Sequence, residues 1–282
     1  MSSNKVALVT GCSKGGIGFE VCQKLADKGF VVYATSRSLS STEGFTHPNI
    51  KRRALDIRDD AKVASVVESV IAEAGQIDLL INNAGVFAPG PIVGYDTAAA
   101  KDVYDTNVLS IIRTCSAVVP HMAKRKSGTI VNVGSVVGQY ATPWGGIYDG
   151  SKAAVRAITE VLWMECKPFN IRVMLAAPGS VQSNLLERPK DEFDLPEDSL
   201  YFPFLHNIRA RLTAGNDGKA MRTEVFADKI VAAAIRTNPP HFFAAGGYLW
   251  TYWLLGSLPR TWYLSIVWNM FSKPKKPEAA SK

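Results

Sequence analysis

The sequence predicts an α/β fold: one doubly wound parallel sheet with helices on both faces, formed by a single domain. Three observations carry that expectation. Short runs rich in Val, Ile and Leu recur without polar alternation, as strands buried on both faces require. Segments of helix length separate these runs. The first run opens directly into a glycine turn and a helix, an arrangement that places ligands at the carboxyl ends of parallel strands.

The elements follow in order. Val6–Thr10 is the first strand, and "TGCSKGGIG" (Thr10–Gly18) turns it into a helix over Phe19–Lys28. Strands at Val31–Thr35, Arg53–Leu55, Leu79–Asn82, Thr129–Val133 and Ile171–Ala176 alternate with helices near Ala61–Ala74, Thr97–Lys124 and Ser151–Lys167. No internal repeat is visible. Residues 182–223 are polar, proline-containing and irregular ("LERPKDEFDLPEDSLYFPF"), the character of a lid or substrate loop. A strand through Ala244 closes a main domain over residues 1–246. Two short apolar helices fill an extension over 247–272, and "KPKKPEAASK" (273–282) reads as a basic, disordered tail.

With 282 residues, 47% hydrophobic and 20% charged, the chain can bury a substantial core, and wholesale disorder is excluded. The apolar run Val6–Val9 is too short for a signal peptide. Cys12, Cys22, Cys115 and Cys166 lie far apart with no C-x-x-C pair, so reduced buried thiols of a cytosol-facing protein are expected, with no metal site and no disulfide framework. A net charge of +7 suits anionic partners such as phosphorylated cofactors or acidic lipids. Nucleic acid is not expected, because no helix is densely basic with interleaved aromatics.

The glycine turn is not a P-loop, since Phe19 follows Gly18 where Lys and Ser or Thr would be needed. It suits a dinucleotide instead: Gly11, Ser13, Gly16 and Gly18 make the turn, and Ile17 starts the helix whose amides would face a pyrophosphate. The second strand ends "VVYATSR", giving Ser36 and Arg37 with no carboxylate to bond a ribose 2′-hydroxyl. A small hydroxyl beside a guanidinium suits a 2′-phosphate, and Lys14 is within reach of the same group, so NADPH is expected over NADH. Asp56, followed by Ile57, can bond the adenine amino group or cap the next helix. Asn83, Ala84 and Gly85 end the fourth strand beside the cradle.

Ser135 follows the fifth strand, and Tyr148 and Lys152 stand four apart on one helix face. A neighbouring ammonium stabilises a phenolate and brings it toward the working range of an acid–base catalyst. Ser135 can hydrogen-bond a substrate oxygen.

These residues resemble the short-chain dehydrogenases/reductases, from about Lys5 to Val181. The matching motifs are the glycine turn, "NNAG" (Asn82–Gly85), Asn107 in "DTNVLS", Ser135, "YDGSK" (Tyr148–Lys152) and "PGSV" (Pro178–Val181). The resemblance implies a Rossmann-type fold and a catalytic set of Asn107, Ser135, Tyr148 and Lys152. Tyr148 would protonate a carbonyl oxygen as hydride arrives. Lys152 would lower the tyrosine's pKa and hold the nicotinamide ribose, and Asn107 would organise a water. Pro178, Gly179, Val181 and Ser183 would meet the nicotinamide end. The glycine turn has one residue more than the family's usual T-G-x-x-x-G-x-G, which Gly15–Gly16 can absorb.

More narrowly, "CKPFNIRV" (Cys166–Val173), "LPEDSLY" and the aromatic C-terminus resemble the fungal NADPH-dependent 1-acyldihydroxyacetone phosphate reductases. That resemblance implies a hydrophobic, lipid-like ketone reduced at the endoplasmic reticulum or at lipid droplets. A ketoreductase of fungal secondary metabolism or of steroids would share the mechanism; a binding, isomerase or cyclase use of the fold would not need all four catalytic residues. Val137, Tyr140 and Trp144 are the expected pocket residues, each equally able to pack in the core. Trp250, Tyr252, Trp253, Trp262, Tyr263 and Trp268 suit a membrane interface, and the alternative is a helix pair that buries these rings in the fold, covers the pocket or joins two copies. The family's long helices imply a homo-oligomer.

Overall fold

A computed structural model describes residues 5–185, 193–212 and 218–273. Seven strands form one sheet: β1 (Val6–Thr10), β2 (Val31–Ser36), β3 (Ile50–Ala54), β4 (Leu79–Asn82), β5 (Gly128–Val133), β6 (Ile171–Pro178) and β7 (Phe242–Ala245). Their order is β3-β2-β1-β4-β5-β6-β7 and every pair is parallel. The chain leaves β1 toward one edge and later returns to its other side at β4. The crevice between β1 and β4 is therefore the switch point where such sheets bind ligands.

Strand parity sorts the core into two layers. Ala7 and Val9 face α1 (Ile17–Asp27) and α7 (Thr223–Ala234), together with Leu25, Phe226 and Ile230. Val6 and Leu8 face the opposite way, toward α2 (Asp60–Ala74), α4 (Ser110–Arg125) and α5 (Gly146–Glu165), with Val67, Met122 and Val155. Both faces are dry, which is why the strands read as unbroken apolar runs.

Several boundaries differ from the sequence expectation. β3 starts at Ile50, ahead of Arg53, because this edge strand is polar: Lys51 and Arg53 lie over the Tyr33 ring and pair with Glu73. The long helix over Thr97–Lys124 is three pieces, α3 (Thr97–Tyr104), a π-helical turn (Asp105–Leu109) and α4. α5 begins five residues before Ser151, which puts Tyr148 in its first turn. The stretch 182–223 is not structureless among its described residues: it holds α6 (Leu205–Arg211). α7 was not expected, although Phe226, Ile230 and Ala234 recur at helical spacing and are all buried. The extension forms the two expected helices, α8 (Leu249–Gly256) and α9 (Arg260–Phe271). The tail beyond Lys273 lies outside the described residues.

Candidate active site

The turn after β1 builds a cradle at the switch point. Gly11 has φ +72°, and a Cβ there would lie 2.6 Å from Ala84 Cα; a Cβ on Gly18 would lie 2.5 Å from Gly11 O. Backbone must approach backbone at both places, which only glycine permits. Gly15, at φ +79°, takes up the extra residue of the loop in the left-handed region. Gly16 is the N-cap of α1 and no side chain caps the helix, so its first amides remain available to an anion.

A cavity of about 350 Å³ runs from this turn across the sheet ends. Its walls bring together Gly11, Ser13, Gly16, Ile17, Ser36, Arg37, Asp56, Ile57, Asn83, Ala84, Gly85, Tyr148, Lys152, Pro178 and Ser183. The remaining expected residues stand elsewhere. Lys14 is exposed and its stem passes Gly44; Gly18 is buried behind the turn; Gly179 and Val181 face a second cavity. At the far end, Ser36 Oγ lies 2.7 Å from Ser41 Oγ and 3.2 Å from Ser13 Oγ, beside Arg37. Asp56 does not cap α2, because Asp59 does, accepting from the Lys62 amide at 3.0 Å. Asp56 instead accepts from the Arg58 guanidinium (3.1 and 3.3 Å), whose hydrogen bonds hold its carboxyl below the usual range. The uncapped helix, the glycine cradle and this basic, hydroxyl-rich end fit a dinucleotide.

The residues expected to carry the chemistry meet where β5 and α5 converge. Tyr148 and Lys152 are one helical turn apart, with Lys152 Nζ 5.6 Å from the phenol ring's centroid. Burial pulls Lys152 down to about 8, and its ammonium donates to Val133 O at 2.9 Å. Burial pushes the Tyr148 phenol well above its ordinary value and the Asp149 charge adds to that; the Ser135 hydroxyl and the Arg211 charge pull it back. The downward pull thus comes from Ser135 and Arg211, where the sequence placed it on Lys152. Asn107 sits in the π-helical turn, a feature common at functional sites. Its side chain accepts from Val86 N (2.8 Å) and donates to Val86 O and Ser151 Oγ (both 3.0 Å). It ties the end of β4 to α5 and does not line the cofactor cavity, contrary to its expected place there.

A second cavity, about 340 Å³, opens on the other side of Tyr148. Ser135, Val137 and Tyr148 line one wall, and Tyr252, Val267 and Phe271 of the C-terminal helices line another. Of the three expected pocket residues only Val137 lines it. Tyr140 is drawn away to stack against Tyr252 (centroids 5.8 Å apart) and to meet Tyr263 at a tilt (6.1 Å). Trp144 is buried among Tyr201, Phe204 and Trp268, and its indole N–H donates to Phe271 O at 3.0 Å. It fastens α9 to the main domain.

The sequence profile of the family described as short chain dehydrogenase matches residues 5–192, which is more than half of the chain. The chain belongs to that family. An NADPH-dependent 1-acyldihydroxyacetone phosphate reductase of Saccharomyces cerevisiae is 36% identical over 84% of this chain and 80% of its own. A solved short-chain dehydrogenase from Streptomyces avermitilis, 26% identical, aligns over 96% of this chain and 98% of its own with a TM-score of 0.81. The structure of ElxO with NADP bound, 25% identical, covers 88% of this chain and 99% of its own with a TM-score of 0.72. Use of a nicotinamide dinucleotide goes with this family. In this short-chain dehydrogenase the sequence reading missed Arg58 in the cofactor cavity; it did not single out Asn184, Leu185 or Arg211 within the expected substrate loop, and α8 and α9 line the second cavity as the helix pair given as one alternative. Arg58 was open to inference from its place two residues after Asp56. The others carry no local pattern, because distant loops and helices bring them in.

Proposed function

We propose that the protein reduces a ketone on a hydrophobic, lipid-like substrate to a secondary alcohol with NADPH, the substrate being an acylated dihydroxyacetone phosphate. The observation that carries this reading is that Tyr148 borders both cavities, the dinucleotide-fitting one and the largely apolar one. A proton donor at that junction can serve a carbonyl held from one side while the other side supplies the reductant. Bound NADPH supplies the hydride. The Tyr148 phenol gives its proton to the carbonyl oxygen, and Ser135 Oγ holds that oxygen. Lys152 keeps a positive charge beside the phenol at neutral pH. Arg37, Arg58 and the Ser13–Ser36–Ser41 hydroxyls form an end without an unpaired carboxylate, which favours a 2′-phosphate over a free ribose. The yeast relative supports the substrate, and the apolar walls formed by α8 and α9 suit an acyl chain.

The same reading includes contact with a lipid surface. On α8 and α9, Trp250 is 80% exposed and Trp253 and Trp262 are each 64% exposed, on the side away from the cavity. Among the described residues no helix is long and apolar enough to cross a membrane, so these helices would lie on one.

The test is consumption of NADPH by purified protein given 1-palmitoyl-dihydroxyacetone phosphate beside steroid and polyketide-like ketones. Preference for the acylated triose phosphate, poor use of NADH, and loss of at least about a hundredfold in Tyr148→Phe are expected, since a positioned acid contributes that much or more. Turnover retained in Tyr148→Phe would refute the mechanism.

A further inference from the structure

The apolar cavity contains one feature that an acyl chain does not explain. Among its described lining residues Arg211, at the end of α6, is alone in carrying a charge. It is held in a fixed pose. Nη2 donates to Thr142 Oγ1 at 2.9 Å, and the guanidinium carbon stands 5.2 Å from the centroid of the Phe271 ring. Thr142 is itself anchored, its N–H and hydroxyl meeting Asp149 Oδ2 at 2.7 and 3.1 Å. Yet Arg211 Nε is buried without a hydrogen-bond partner, and no carboxylate among the described residues lies within ion-pair distance of the guanidinium.

A guanidinium held rigid in an apolar cavity, with no carboxylate in direct contact and Asp149 reached only through Thr142, is costly. Its planar fork matches an oxyanion, which two parallel N–H donors can hold. Arg211 is also near enough to Tyr148 for its charge to act on the phenol. Ser135, Tyr148 and Arg211 line the same cavity, so an anion bound at Arg211 would share it with a carbonyl on Tyr148 and Ser135. We propose that Arg211 is the specificity-determining residue of this enzyme, binding a phosphate monoester close to the reducible ketone. The inference deepens the proposed function and rests on it for the choice of phosphate.

The measurement is the ratio of kcat/KM for 1-palmitoyl-dihydroxyacetone phosphate to that for its neutral twin, 1-palmitoyl-dihydroxyacetone. A change in folding or in hydride transfer lowers both values and cancels in the ratio. Arg211→Met should lower the ratio about 10- to 100-fold, the range for a lost charge-assisted pair, and Arg211→Lys should restore part of it. Equal losses on both ketones would assign Arg211 to supporting Thr142 and Asp149, and would overturn the proposal. If neither ketone is reduced, the substrate reading fails on its own and binding decides. Calorimetry would compare 1-palmitoylglycerol 3-phosphate with 1-palmitoylglycerol: a preference for the phosphate that Arg211→Met abolishes upholds the anion site, and no preference overturns it.

Discussion

Asp149 stands next to Tyr148 in the sequence and is buried beside it, and its carboxyl answers to both Thr142 and Arg211. Burial raises it to about 6 from 3.8, against the pull of the Thr142 hydrogen bonds and the Arg211 charge. Between those two values the folded state binds more protons than the unfolded chain, so stability falls as pH rises through that window. Asp149→Asn keeps an acceptor for Thr142 and removes the titration. The variant's advantage in unfolding free energy should therefore open between pH 4 and 6, reach about 3 kcal/mol, and stay level above. Urea unfolding of both proteins at each pH measures it, and a pH-independent difference would contradict the burial argument. At this scale the sequence revealed the residues whose chemistry is local. Tyr148 and Lys152 are a helical turn apart, and Gly11 and Gly18 follow a strand. Asp149, Arg58 and Arg211 were silent because their roles come from what packs against them. Tyr140 and Trp144 misled for the same reason: adjacency to Tyr148 in the chain does not decide which cavity a side chain faces.

At the scale of elements, the strands were legible and the helix boundaries less so. Apolar runs announce parallel strands wherever both faces are covered, and β1, β4 and β5 were readable to within a residue. β3 was cut short because its lysine and arginines look like a loop until Tyr33 and Glu73 are placed beneath them. The π-helical turn leaves no periodic signature, since one extra residue per turn is invisible to a pattern of three and four. Trp144 is one of the contacts that place α9, beside the Tyr263 hydroxyl on Ala141 O (3.0 Å) and the Arg260 guanidinium on Gln139 O (3.2 Å). Trp144 holds a left-handed backbone at φ +67°, packs its ring at a tilt against Phe204 and Trp268, and bonds the last carbonyl of the helix. Trp144→Ala should cost about 3–5 kcal/mol for a buried ring of this size. Because Val267 and Phe271 line the apolar cavity from α9, where the proposed function places the acyl chain, KM for a long-chain ketone should rise several-fold more than KM for a short one. Thermal unfolding and the two KM values check it. An unchanged melting temperature would show that α9 is held by other contacts.

The whole molecule is asymmetric in a way the sheet does not require. Both sheet faces are covered by helices, so α8 and α9 are not needed to close the core, and each turns one side to the apolar cavity and the other to solvent. The outward side carries Trp250, Trp253, Trp262 and Leu254, an apolar surface that water alone would disfavour. The chain's net charge is +7, and four lysines lie at or beyond the end of α9. Indole rings favour the interfacial zone of a bilayer, and lysines add attraction to anionic lipid, about 1 kcal/mol each near the surface. Binding to vesicles containing phosphatidic acid should therefore exceed binding to neutral vesicles and weaken as salt rises. A Trp250→Ser, Trp253→Ser, Trp262→Ser variant should lose at least about tenfold in partitioning to both kinds of vesicle, because the rings act on the apolar contribution that salt does not screen. Its turnover of a short, water-soluble ketone should persist, since none of the three lines the apolar cavity. Co-sedimentation across a salt series separates the two contributions. If the variant sediments as the wild type does, the tryptophans face another partner, and a loss of self-association measured by ultracentrifugation would identify it as a second copy of this chain.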